Sequence, residues 1–246
     1  IDLKDRIIVK KIKNKKDEIT FKGPHSKYVN KSNNTVRKIL QIMRKYKIIS
    51  HYYSIIIFKQ IPVFAGLGGG TSNAATLFKF FAKKKSKSIL FNKVVEKIGS
   101  DFRLFFYNYG FLKNMKTIIN LQKHHTLYFL LAGPNIISST KEVYSKVRKY
   151  SKKEKISQAK LKNKKNFIDY IKNSKNDLQS IVEKKHQKIS ILLNDIKNMK
   201  GCYFSRISGS GSVCYGLFTN QSCSKAALIS LRKKHPKFWF SIAKTI

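Results

Sequence analysis

Carboxylates are scarce in this chain. Asp and Glu number 12 in 246 residues, against 52 Lys and Arg, for a formal charge of +40. Few side chains are therefore free for acid–base work, and an isolated carboxylate stands out. Cysteine is also sparse. Cys202, Cys214 and Cys223 are odd in number and contain no C-x-x-C pair. That excludes a disulfide framework and a zinc ribbon, and it fits a reducing, cytoplasmic setting. The six histidines form no H-E-x-x-H or other metal-ligand spacing. No apolar run approaches the ~18–20 residues that a membrane span requires. Signal-peptide patterning and internal repeats are lacking too. The chain opens Ile1-Asp2-Leu3 without Met, as expected of an incomplete start.

Lysine, by contrast, is everywhere. It is scattered along nearly every segment rather than gathered into an arm or stripe, as coding bias in an AT-rich genome produces. The bland reading is a solvated surface. The functional reading is a basic nucleic-acid-binding protein, against which stands the lack of an aromatic-basic motif. A diffuse positive field still attracts phosphorylated ligands. Apolar residues make up 42% of the chain, enough for a real core.

Residues 7–12 and 18–21 read as strands, with a turn between them and a stop at Gly23-Pro24. Asn33 and Asn34 suit a helix cap. Behind them Val36, Ile39, Leu40 and Met43 form one apolar helix face. Residues 53–58 read as a buried strand. A glycine run follows, then a helix with Ala74, Leu77, Phe78 and Phe81 on one face. A basic turn at 83–87 leads to a helix carrying Phe91, Val94, Val95 and Ile98. Residues 104–107 and the segment around Phe111 read as strands. A second unit is expected from His124. It has a strand at 127–131, a short helix capped by Thr140, a solvated connection at 151–166 and a long helix over 177–199. Strands at 203–207 and 213–218, a helix at 225–233 and a strand at 238–242 complete it. Strands and helices mixed in two halves imply an α+β or α/β architecture, divided at 1–123 and 124–246.

Three motifs carry the chemistry. The run Ala65-Gly66-Leu67-Gly68-Gly69-Gly70-Thr71-Ser72 joins a strand to a helix. Glycine lets backbone N–H groups converge on an anion, and a helix start favours phosphate. On this reading a side chain at Gly69 would stand where the phosphates sit. Thr71 and Ser72 add hydroxyls for a phosphate oxygen or Mg²⁺. Neither the Walker pattern nor the dinucleotide fingerprint is present. Asp101, alone between Glu96 and Glu142, could accept or orient a hydroxyl proton, or simply occupy a turn. Ser208-Gly209-Ser210-Gly211 is either a hairpin turn or a second loop closing over phosphates.

In this order the motifs resemble those of the GHMP kinase superfamily. Residues 61–75 are most similar to the I-P-x-x-x-G-L-G-G-G-S-S-(D/N)-A-A motif of the 4-diphosphocytidyl-2-C-methyl-D-erythritol kinase family. Mevalonate and homoserine kinases usually read G-L-G-S-S there. Ile98-Gly99-Ser100-Asp101 resembles the segment carrying that family's catalytic Asp. Asn176-Asp177-Leu178-Gln179 resembles its N-D-L-E helix start, and 206–212 its third motif. The resemblance implies a two-domain GHMP kinase fold of the α+β class. Its N-terminal domain would be like domain 2 of ribosomal protein S5, and its C-terminal domain ferredoxin-like. It implies transfer of the γ-phosphate of ATP, with Mg²⁺, to the 2-hydroxyl of the cytidine-diphosphate-linked methylerythritol substrate, in non-mevalonate isoprenoid synthesis. ATP would be bound by Pro62, Val63, Phe64, Ala65, Gly66, Leu67, Gly68, Gly69, Gly70, Thr71 and Ser72, with Thr71 or Ser72 near the metal. Asp101 would be the base or orienting group, Asn34 would approach the adenine, and Gly209, Ser210 and Gly211 would close the site. No specific nucleic acid or membrane partner is implied, and the chain would be a monomer or homodimer. Another GHMP kinase, for homoserine, mevalonate or a sugar, is the alternative within the class. The family's opening P-(A/S)-K-(I/L)-N and G-Y-H segments are absent. The resemblance thus implies a fragment that lacks the N-terminal lysine and the activity that depends on it, or a decayed kinase. Its D-V-P-F-F also reads Asp101-Phe102-Arg103-Leu104-Phe105, which leaves Arg103 either exposed or on a phosphate.

Overall fold

The computed structural model describes residues 1–82, 88–114, 116–121, 124–151 and 157–246. The basic turn expected at 83–87 and part of the connection expected at 151–166 lie outside the described residues. The chain divides into two compact units. One comprises Lys4–Val63 and Gly68–Leu121; the other comprises Ile1–Leu3, Phe64–Leu67 and Gln122–Ile246.

In the first unit, strand β1 (Arg6–Ile12) runs antiparallel to β3 (Tyr52–Phe58), and β2 (Glu18–Lys22) lies parallel to β3 on its other side. A parallel pair cannot be closed by a hairpin. The crossover runs through a 3₁₀ turn at Ser26–Tyr28 and helix α1 (Thr35–Lys45). Asn34 caps α1 by accepting a hydrogen bond from the Arg37 N–H, and Val36, Ile39, Leu40 and Met43 are buried as the spacing predicts. They pack with Ile55 and Ile57 of β3 and with helices α2 (Gly69–Ala82) and α3 (Ser88–Ile98). The segment expected as a strand at 104–107 is a 3₁₀ helix, Ser100–Phe106. A short apolar run does not reveal its period. Here Phe102 and Phe106 turn to the same neighbour, each meeting the Phe78 ring edge-on at 5.7 and 5.8 Å. A hairpin of β4 (Gly110–Leu112) and β5 (Ile118–Asn120) ends the unit.

The second unit carries a sheet of four antiparallel strands: β6 (Tyr128–Gly133), β7 (Cys202–Ile207), β8 (Cys214–Phe218) and β9 (Trp239–Lys244), in the order β7-β8-β6-β9. With a helix before β7 and another before β9, this is the ferredoxin-like arrangement the resemblance implies. One face packs on α8 (Gln187–Lys197) and α9 (Gln221–Lys234) through Leu130, Ala132, Ile196 and Leu231. Ala65, Leu131, Val213 and Ala243 form a separate buried cluster.

Several boundaries differ from expectation. The cap of α4 (Thr140–Ser145) is Ser139, not Thr140. The long helix expected over 177–199 is two, α7 (Gln179–Lys185) and α8, broken at His186 with φ −136° and ψ 85°. The apolar face that runs through Leu178 and Val182 has only Lys185 and His186 to offer one turn later, so its phase is lost. Helices α5 (Gln158–Leu161) and α6 (Lys164–Asn173) occupy part of the expected solvated connection. Asn163 caps α6, and Phe167 and Ile168 are buried. No helix among the described residues is long and apolar enough to cross a membrane.

A buried charge pair ties helix α2 to the first sheet. The Asp5 side chain is 1% exposed and ion-paired with Lys59, whose side chain is 4% exposed. Asp5 Oδ1 accepts the N–H groups of Gln60 (2.8 Å) and Ile61 (2.9 Å), and Oδ2 accepts Asn73 Nδ2 (2.9 Å). One carboxylate thus joins the start of β1, the exit from β3 and the second turn of α2. Removing one partner of a buried pair strands the other charge. Asp5→Ala should therefore cost about 3–5 kcal/mol, read as a lower urea midpoint with an unchanged slope. Asp5→Asn, which keeps an acceptor for the two backbone donors, should cost less.

Candidate functional site

The glycine run passes from one unit to the other between Leu67 and Gly68. Its first half is built into the ferredoxin-like unit. The carbonyls of Phe64 and Ala65 accept the N–H groups of Ser212 and Val213, both at 3.3 Å. The Gly66 carbonyl accepts the Ser208 hydroxyl at 2.8 Å. Gly66 has φ +70°, and a Cβ there would stand 1.9 Å from the Ser208 carbonyl oxygen. Leu67 packs against the buried cluster around Ala65, Leu131 and Val213. In this half, side chains and carbonyls serve the packing of the unit. The Phe64 ring is the exception, 52% exposed on a backbone with φ +59°.

The second half opens helix α2. Gly68, at φ +65°, accepts the Ser72 N–H at 2.8 Å. The N–H groups of Gly69, Gly70 and Thr71 and the hydroxyls of Thr71 and Ser72 have no acceptor among the described residues. Free donors at a helix start, where the dipole is positive, receive an anion well. The glycines also have packing reasons. A Cβ on Gly68 would meet Phe105 at 2.9 Å, and one on Gly70 would meet Thr35 Oγ1 at 3.1 Å. A Cβ on Gly69 would meet Ile61 at 2.9 Å and Lys59 Nζ at 3.3 Å. The side chain imagined at Gly69 would thus point into the protein rather than toward a phosphate. Thr35, the first residue of α1, donates its hydroxyl to the Gly70 carbonyl at 2.7 Å. Pro62 and Val63, half-buried, follow directly on the Asp5-bound turn.

Asp101 lies in the first turn of the 3₁₀ helix, exposed and without a hydrogen bond or ion pair among the described residues. The same short segment carries the fully buried Phe102, and its Phe105 packs against Gly68. The fold therefore brings the Asp101 segment and the second half of the glycine run together, as the sequence motifs require. Arg103 turns elsewhere. Its guanidinium donates to Asn92 at 2.9 Å and lies 5.3 Å from the centre of the Phe91 ring. Asn34 is occupied with its cap and with the carbonyls of Asn30 and Lys31.

The loop between β7 and β8 admits a full account of its backbone. The carbonyls of Ile207 and Gly209 accept Asn176 Nδ2 at 3.1 and 2.8 Å. The Ser208 carbonyl accepts the Gly211 N–H, and the Ser210 carbonyl accepts the Ser138 hydroxyl at 2.7 Å. The N–H of Ile207 goes to Gln179, that of Ser208 to Val213 and that of Ser212 to Phe64. Among the described residues only the N–H groups of Gly209 and Ser210 are left without an acceptor. Consecutive free N–H groups on a backbone with positive φ (+53° at Gly209) form an anion-receptive concavity. An open groove of about 410 Å³ adjoins it in the same unit, lined in part by Tyr144, Tyr150, Lys175, Asn176 and Gly209.

No three acidic, His or Cys side chains among the described residues are grouped to hold a metal. A Mg²⁺ ion would depend on the free hydroxyls of Thr71 and Ser72 and on a ligand's own phosphates. Burial pushes the Cys202 thiol up to about 11, and the Cys214 thiol higher still, so both stay protonated and inert. Asp5, Lys59, Thr35 and Ser138 escaped the sequence reading. Their partners lie far along the chain, and nothing local marks them.

No protein-family model matches the chain. Among curated proteins, the 4-diphosphocytidyl-2-C-methyl-D-erythritol kinase of Pelagibacter ubique (strain HTCC1062) is 33% identical, over 100% of this chain and 88% of that protein. The protein of the same name from Wolbachia pipientis wMel is 28% identical, over 90% and 77%. Among solved structures, a 4-(cytidine 5'-diphospho)-2C-methyl-D-erythritol kinase superposes with a TM-score of 0.69 at 18% identity, over 98% of this chain and 86% of that one. Homoserine kinase from Cytophaga hutchinsonii gives 0.68 at 16%, over 98% and 85%. These structural likenesses show the fold, which is that of the GHMP kinases.

The four glycines of the run should not respond alike. Gly66→Ala, strained in φ and clashing with backbone, should lower stability by at least ~2 kcal/mol. Gly70→Ala, at ordinary φ with a side-chain neighbour, should change it by less than about 1 kcal/mol. Thermal unfolding of the two variants checks the contrast.

Proposed function

Because the chain belongs to the 4-diphosphocytidyl-2-C-methyl-D-erythritol kinase family, we propose that in its full-length form it phosphorylates the 2-hydroxyl of the cytidine-diphosphate-linked methylerythritol at the expense of ATP, in non-mevalonate isoprenoid synthesis. The observation that carries the reading is the row of free N–H groups at Gly69, Gly70 and Thr71, with Asp101 held on the segment that packs against Gly68.

ATP bound with Mg²⁺ supplies the phosphoryl group. The start of α2 holds its phosphates through backbone donors, which bind charge without a side chain that must be ordered first. The hydroxyls of Thr71 and Ser72 would hold the metal or a phosphate oxygen. Asp101, exposed and without a partner among the described residues, accepts or orients the proton of the attacking hydroxyl. The N–H groups of Gly209 and Ser210, with Gly211 closing the turn, hold phosphate oxygens of the second substrate. The +40 charge draws in both polyanionic ligands. The protein works in the cytoplasm, as a monomer or homodimer.

Titration calorimetry should show ATP binding. ADP release should be supported by the cytidyl substrate and not by homoserine or mevalonate. Lack of ATP binding, or comparable ADP release with either rival, would overturn the assignment. Asp101→Ala should lower turnover ~10²–10⁴-fold while leaving ATP affinity within about threefold. Raising salt from 50 to 300 mM should lower kcat/KM for the anionic substrates far more than kcat, because screening weakens the attraction before binding.

A further inference from the structure

The free N–H pair at Gly209 and Ser210 exists because the carbonyls of the same turn are held on the other side. In a peptide chain the carbonyl and N–H of one peptide unit point in opposite directions. The Gly209 carbonyl and the Ser210 N–H belong to one such unit. Whatever holds that carbonyl therefore aims that N–H. The group that holds it is the Asn176 carboxamide, which donates to Gly209 O at 2.8 Å and to Ile207 O at 3.1 Å. Its own oxygen accepts the Leu178 N–H at 3.1 Å, which fixes the amide at the entry to α7. The next unit along, from Ser210 to Gly211, is fixed by the Ser138 hydroxyl and by Gly211 donating back to Ser208 at 2.8 Å.

We propose that Asn176 is a positioning residue. It turns the Gly209–Ser210 peptide so that its N–H faces an anionic ligand, and thereby sets the affinity for the cytidine diphosphate part of the substrate. This rests on the reading of the Gly209 loop as a phosphate-binding turn. Asn176 touches no reacting atom in this role. It acts through the peptide it orients.

Aspartate separates this role from a purely structural one. Asn176→Asp keeps an oxygen for the Leu178 N–H, and so keeps the helix entry. It loses both bonds to the loop carbonyls, because a carboxylate cannot donate. Asn176→Ala removes the donors without adding charge. Cytidine diphosphate is the probe. The native chain should bind it, and both variants should bind it at least tenfold more weakly. ATP affinity should stay within twofold and the unfolding temperature within a few degrees. In ¹⁵N–¹H spectra the Ser210 amide should move on adding cytidine diphosphate to the native chain and hardly at all in either variant. Native-like binding by both variants would overturn the role of Asn176 while leaving the loop reading intact. Weak binding by the aspartate variant with native-like binding by the alanine variant would assign the effect to charge and overturn it as well. If the native chain binds cytidine diphosphate without moving the Ser210 amide, or does not bind it, the loop reading itself fails, and the proposal with it.

Discussion

The tightest approach at any glycine among the described residues is a contact between two backbones. Gly66 approaches the Ser208 carbonyl so nearly that no side chain fits between them. That approach lets the Ser208 hydroxyl reach Gly66 and lets Ser212 and Val213 pair with Phe64 and Ala65. The turn at 208–211 is thus braced from two sides, by the glycine run and by the Asn176 and Ser138 side chains. A net hydrogen bond is worth only ~0.5–1.5 kcal/mol, so no single one defines the turn. Together they leave its backbone one arrangement in which every carbonyl from Ile207 to Ser210 has a partner.

The helix start at Gly69 depends on a different device, the buried Asp5 carboxylate. A helix end offers an anion ~0.3–1 kcal/mol per favourable charge through its dipole at an exposed site. Stranding a buried charge costs several times more. The internal ion pair therefore outweighs the attraction for a ligand. Asp5 anchors the second turn of α2 through Asn73, and the weaker pull of the free N–H groups acts from that anchored helix. Ile61, with the Lys59 ammonium beside it, gives Gly69 its reason, since its side chain lies where a Cβ would go.

The parts of this arrangement that are legible in the sequence are those whose signal is local. The apolar face of α1, the alternation in β2 and the glycine run with its hydroxyls each fall within a short window, and each is present. Asp101 and the Ser-Gly-Ser-Gly turn are also visible, as motifs. What stays hidden depends on distant partners. Nothing beside Asp5 announces Lys59 and Asn73, and nothing beside Ser138 announces Ser210. The 3₁₀ helix at Ser100–Phe106 reads as a strand because four apolar residues carry too little period to tell. The break at His186 shows only as a lost apolar phase at Lys185 and His186, which the good helix formers on either side mask.

The Gly66–Ser208 contact spans 142 positions, and this matters on the ribosome. Chains emerge N-terminus first at ~5–20 residues per second. The glycine run therefore waits roughly 7–30 s for the segment that gives its first half a shape. During that interval the strands around β3 and the start of α2 can already form. Residues 64–67, which belong to the later-made unit, cannot. The two halves of one short run are thus shaped at different times, Gly68–Ser72 with the first unit and residues 64–67 only after the 208–213 segment has been made.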